Sequence, residues 1–150
     1  MKTSAVLVSV LVLLSSVSGW LLSKATLIGR TGINLFYKEY RFLKIWWQGG
    51  LVVFAGLMAW MFIHYLIQKK LQRTNAVILY AGLLLVAIAG LYFTYQDFRN
   101  DFSHRLLGER FHIGAYLFWI GCMIITCFYL LRIFVTHKEQ NSLMESTARK

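Results

Sequence analysis

The side chains best equipped for chemistry crowd into one stretch, Q-D-F-R-N-D-F-S-H-R-L-L-G-E-R-F-H, residues 96–112. It holds two acid-x-x-His pairs, Asp101 with His104 and Glu109 with His112. Residues three apart share a helix face, and Glu-x-x-His is the spacing with which helical bundles present carboxylate and imidazole to iron or manganese. The same donors suit zinc. Asp101, His104, Glu109 and His112 are therefore the candidate metal ligands. A plainer reading pairs Asp97, Asp101 and Glu109 with Arg99, Arg105 and Arg110 in a solvated turn. In it Gly108 interrupts the helix and Glu109 favours the first turn of the next one. Two-metal centres draw ligands from several helices, whereas this set comes from a single connection. The solvated turn is the stronger reading, and no resident cofactor is expected.

The other histidines bear on haem. His64 closes one apolar stretch and His112 opens another, and alternation of crossings puts these two on opposite sides of a membrane. His64 and His137 share a side, but His137 lies in a polar tail. Only His104 and His112 remain, within one connection, so a cytochrome is disfavoured. Histidine at a helix end is read as interfacial. The cysteines add no redox motif. Cys122 and Cys127 lie five residues apart, about 140° around a helix, and cannot meet. They act as small hydrophobes.

These groups are positioned by the elements around them. Four long apolar stretches, 5–22, 49–67, 76–95 and 113–135, make up more than half of the 150 residues. Their bodies carry no Lys, Arg, Asp or Glu; Arg132 falls near the end of the fourth. At about 1.5 Å per residue each matches, or nearly matches, the roughly 30 Å hydrocarbon layer of a bilayer. Lipid offers no partner to open backbone edges, and a barrel would show alternation in place of solid apolar runs. The expected fold is an all-α membrane protein, four transmembrane helices in a bundle, forming one domain over 1–150. Composition agrees: 58% of residues are hydrophobic and 16% aromatic, and the mean hydropathy is +0.57, too apolar for a soluble domain of this size.

The first stretch has two readings. Lys2, the apolar run and Ser15, Ser16, Ser18 and Gly19 resemble a secretory signal peptide. The run resumes at Trp20-Leu21-Leu22, however, which favours a retained signal-anchor. Between the first two stretches, 31–47 predicts an amphipathic helix in the headgroup plane. Ile33, Phe36, Tyr37, Tyr40, Leu43 and Trp47 fall at helical spacing, with Lys38, Arg41 and Lys44 on another face and Trp46-Trp47 anchoring the end. The competing view has this segment simply lengthen the second span, with a bend at Gly49-Gly50. Lys38, Arg41, Lys44, Trp46 and Trp47 are the expected lipid-interface residues. The tail, 137–150, reads as a frayed continuation or disordered.

The formal charge of +10 beside apolar spans indicates anionic headgroups, not nucleic acid. With the N-terminus inside, basic residues divide equally between the two faces, so orientation rests on the signal-like start; both termini are placed in the cytoplasm. Small residues recur at packing intervals: Ser15 and Gly19, Ala55 and Ala59, Ala81 and Ala89, Gly114 and Gly121. The spans contain neither a proline break nor a midplane carboxylate, which disfavours a carrier. The expected function is non-enzymatic, that of an accessory or scaffolding subunit joining other membrane subunits, in a bacterial inner membrane. The alternative is a small metalloprotein or enzyme whose site is formed by loops 24–48 and 96–112.

Overall fold

A computed structural model describes residues 2–24, 45–100 and 109–148, with side chains described between 4 and 135 of these. The described chain is helical: α1 (Lys2–Leu22), α2 (Trp46–Lys70), α3 (Arg73–Asn100) and α4 (Glu109–Ala148). Each contains a window long and apolar enough to cross a membrane. Every helix overruns its apolar stretch at one end or both. The backbone ladder needs no apolar side chain to continue, so it runs on through Lys69-Lys70, Arg73-Thr74-Asn75 and Gln96–Asn100. α4 carries on through 137–148 as regular helix. At 40 residues it extends about 60 Å, twice the hydrocarbon thickness.

α2 starts at Trp46, after the extended Ile45 (φ −98°, ψ 114°). Trp46 and Trp47 therefore form the first turn of this long helix and not the end of a separate surface helix. The expected bend at Gly49-Gly50 is not found: α2 is helical through both glycines. The rest of the expected surface helix, with Lys38, Arg41 and Lys44, lies outside the described residues.

The four helices form a bundle in which α4 packs on all three others, α1 lies against α2 and α4, and α3 packs chiefly on α4 and more lightly on α2. Consecutive helices run antiparallel. Buried positions recur at steps of three or four residues, or of seven or eight where a turn is skipped: Leu7, Leu11, Ser15, Ser18 and Leu22 in α1; Gly50, Val53, Leu57 and His64 in α2; Ala76, Tyr80 and Ala87 in α3; Phe111, Gly114, Cys122, Ile125 and Tyr129 in α4. That is the seam spacing of left-handed helix packing.

Close approach uses part of the small-residue set. A Cβ on Gly19 would lie 2.5 Å from both the Gly50 Cα and the Trp46 carbonyl oxygen, so the α1 and α2 backbones touch. Across from them, the buried Ser18 hydroxyl donates to the Gly114 carbonyl of α4 at 2.6 Å. A Cβ on Gly114 would meet Leu22 and Ser18, and one on Gly121 would meet Leu57 and Leu14. Ala55, Ala59, Ala81 and Ala89 do not join them. All four are exposed on the outside of the bundle. At the end where α1 finishes and α2 begins, Trp20, Trp46 and Trp47 are half exposed and the Lys24 ammonium sits 5.2 Å from the Trp20 ring centroid. The ammonium lies within cation–π range of the indole.

Candidate functional site: a buried histidine among aromatic rings

Toward the opposite end of the bundle, α2, α3 and α4 converge on His64. Its position follows from α2's inward stripe of Gly50, Val53, Leu57 and His64. The side chain is fully buried. Tyr80 of α3 stacks on the imidazole, with ring centroids 5.1 Å apart and an interplanar angle of 12°. Tyr129 of α4 tilts against it at 5.4 Å, and Trp60, one turn earlier on α2, stands at 5.8 Å. Three aromatic rings from three helices thus enclose one imidazole.

Hydrogen bonds fix the cluster. The Tyr80 hydroxyl donates to the His64 carbonyl at 3.0 Å, joining α3 to α2. The Trp60 indole N–H donates to the Thr126 hydroxyl at 3.2 Å, and Thr126 in turn donates to the Cys122 carbonyl at 2.8 Å, joining α2 to α4. Thr126 therefore acts as an interhelical hydrogen-bonder. His64 Nδ1 lies 2.9 Å from the Trp60 carbonyl oxygen. A carbonyl only accepts, so Nδ1 carries the hydrogen and the neutral ring is the Nδ1–H tautomer. Its lone pair is then on Nε2. That atom is buried and has no hydrogen-bond partner among the described residues.

Chemically, an Nδ1–H imidazole with a free Nε2 is a base and a ligand donor. Reading His64 as an interfacial residue missed this, because distance along an apolar run does not reveal what other helices place beside it. The available signal was level: Tyr80 lies just inside the start of one span and Tyr129 near the end of another, both at the depth of His64.

The metal candidates fare differently. Glu109 and His112 occupy the first turn of α4, one turn apart as their spacing requires. Glu109 is exposed, and the His112 ring stacks on Phe98 of α3 at 4.4 Å and 14°. Phe111 and Tyr116 complete an aromatic group around Phe98. Asp101 and His104 lie outside the described residues. Among the described residues, no three His, Cys, Asp or Glu side chains come together in a metal-binding group. Cys122 is buried and Cys127 exposed, and both are free thiols.

Fold and site together define a helical bundle with the dimensions of a membrane domain and one buried imidazole at the junction of three helices. Comparison goes no further: no family model, curated protein or solved structure matches this chain.

Proposed function

We propose that the chain is a multipass membrane protein that works through contacts, as an accessory or scaffolding subunit of a larger assembly in a bacterial inner membrane. The carrying observation is the division of the small residues. Ser15, Ser18, Gly19, Gly50, Gly114 and Gly121 are spent inside the bundle, whereas Ala55, Ala59, Ala81 and Ala89 face outward. Small outward positions allow close approach by a helix from another subunit, and close packing is the main attraction between helices in lipid. α3 is the least covered helix. Of its most apolar window 17% is buried, against 28–33% in the other three, which leaves it most available to a neighbour. The half-exposed Trp20, Trp46 and Trp47 and the basic residues of 31–44 fit anchoring to anionic headgroups.

The test is purification of the tagged full-length chain in mild detergent, with Ala55→Leu and Ala81→Leu beside the wild type. A specific membrane protein should copurify with the wild type, and its recovery should fall several-fold in at least one variant while thermal stability is kept. No change in copurified protein across both variants would remove the reading. Near-stoichiometric iron, zinc or haem, lost in His112→Ala, would replace it with a metalloprotein whose site lies on loops 24–48 and 96–112.

A further inference from the structure

We infer that His64 Nε2 is a proton-binding site inside the membrane domain, with Tyr80, Tyr129 and Trp60 forming the aromatic cage that holds the imidazolium. Two independent features of the geometry meet here. The first is the buried lone pair without a hydrogen-bond partner among the described residues. No donor occupies that lone pair, so it is open to a proton, and the charge a proton brings must be offset by the surroundings because water is excluded. The second is the enclosure. Cations are attracted to aromatic faces within about 6 Å of the ring centroid, more strongly where water is excluded, and the three rings stand at 5.1, 5.4 and 5.8 Å. The Tyr80 ring lies nearly parallel to the imidazole and so offers its face.

Larger ligands are disfavoured by the same facts. The imidazole has no exposed surface to offer a haem or quinone. A metal ion would need further donors, and none of the described His, Cys, Asp or Glu residues gathers with His64 into a metal group. A proton needs no space. It adds to the Nε2 lone pair, forms one N–H bond, displaces nothing and leaves the ring with a single positive charge.

The titratable and charged groups around His64 can be named helix by helix. α3 presents Tyr80, with Arg73 at its start; α4 presents Tyr129, with Arg132 three residues on; α2 itself carries Tyr65, Lys69 and Lys70; and α1 has no titratable side chain between Ser4 and Ser23. None is a carboxylate, so the cage is the compensating element. The new Nε2–H must also find an acceptor. Tyr80 is the side chain that closes the site from α3, through its stack and its bond to the His64 carbonyl.

The test uses the full-length chain in lipid nanodiscs with 15N-labelled histidine imidazoles, titrated over roughly pH 4–8, the range histidine samples. One resonance pair, missing in His64→Gln, should show the Nδ1–H tautomer at the basic end and convert in a single step to the doubly protonated ring. Trp60 emission should be quenched with the same midpoint, and that step should be absent from His64→Gln, His64→Phe and Trp60→Phe. Tyr80→Leu, which keeps bulk but removes the ring, should lower the midpoint by about 0.5 pH unit or more. Tyr80→Phe should retain the wild-type midpoint more closely. Three results would overturn the assignment: a His64 resonance that never titrates, one that titrates only as helicity is lost, or a midpoint that rises in Tyr80→Leu.

Discussion

A threonine hydroxyl can serve two masters at once, and Thr126 does. It accepts from Trp60 on α2 and donates to Cys122 on its own helix. Thr126→Val keeps the shape and removes both roles, stranding the Trp60 N–H in an apolar interior. The expected loss is about 0.6–1.7 kcal/mol, the range for interhelical hydrogen bonds in membranes. Thermal unfolding in detergent should show it, and an unchanged midpoint would mean the indole finds another partner. Little of this was legible beforehand. Thr126 could be marked as a hydrogen-bonder, because a hydroxyl in an apolar run has few alternatives. Its partner could not, since Trp60 is 66 residues away and any facing helix would have served. His64 shows the same limit more sharply: its burial is made by Tyr80 and Tyr129, neither of which is near it in sequence.

Helices that are apolar on every side have no amphipathic signature to orient them, so the inner faces must be read from small and polar residues. That works where two backbones touch. Gly19 leaves no room for a methyl group and Gly50 only a tight fit, 3.2 Å from the Ser15 carbonyl oxygen, and the obstructing atoms are backbone, which cannot rotate away. Gly19→Ala should destabilise the bundle by about 1–3 kcal/mol, as overpacking does. Gly82→Ala is the internal control, because a Cβ there meets nothing within 4 Å. Comparable losses in both variants would point to a backbone effect unrelated to the α1–α2 contact. The same rule misled for Ala55, Ala59, Ala81 and Ala89, which are spaced for packing but turned outward. Spacing reveals that a face exists and says nothing of which neighbour it meets. Helix ends were misjudged for another reason. An apolar run measures the hydrocarbon, whereas the helix ends where its backbone bonds end, and α3 accordingly spans 28 residues, well beyond its apolar core.

For the molecule as a whole, four helices of crossing length running alternately up and down bring both chain ends to one side. Four helices long and apolar enough to cross a membrane were legible in the composition and in the solid apolar runs. We propose the cytoplasm as that side. Reporter fusions after Gln68, close to the α2–α3 turn, and at the C-terminus should both read cytoplasmic. Opposite locations would break the four-crossing arrangement; two external signals would invert it. Retention of α1 is proposed on the same grounds. Its Ser15, Ser18, Gly19 and Leu22 fill the space between α2 and α4, so the intact mass of the extracted protein should include the residues before Gly19.

The Ser18–Gly114 bond also has a place in time. Its two ends are 96 residues apart, so at a synthesis rate of about 5–20 residues per second the hydroxyl waits roughly 5–20 s for its acceptor to be made. During that interval α1 can settle on α2 through Gly19 and Gly50, while Ser18 bonds back to its own helix as Ser9 and Ser16 do. Arrival of the last helix then trades that local bond for the long-range one. Of the contacts α1 makes, the one to Gly114 is thus among the last whose two ends are both present.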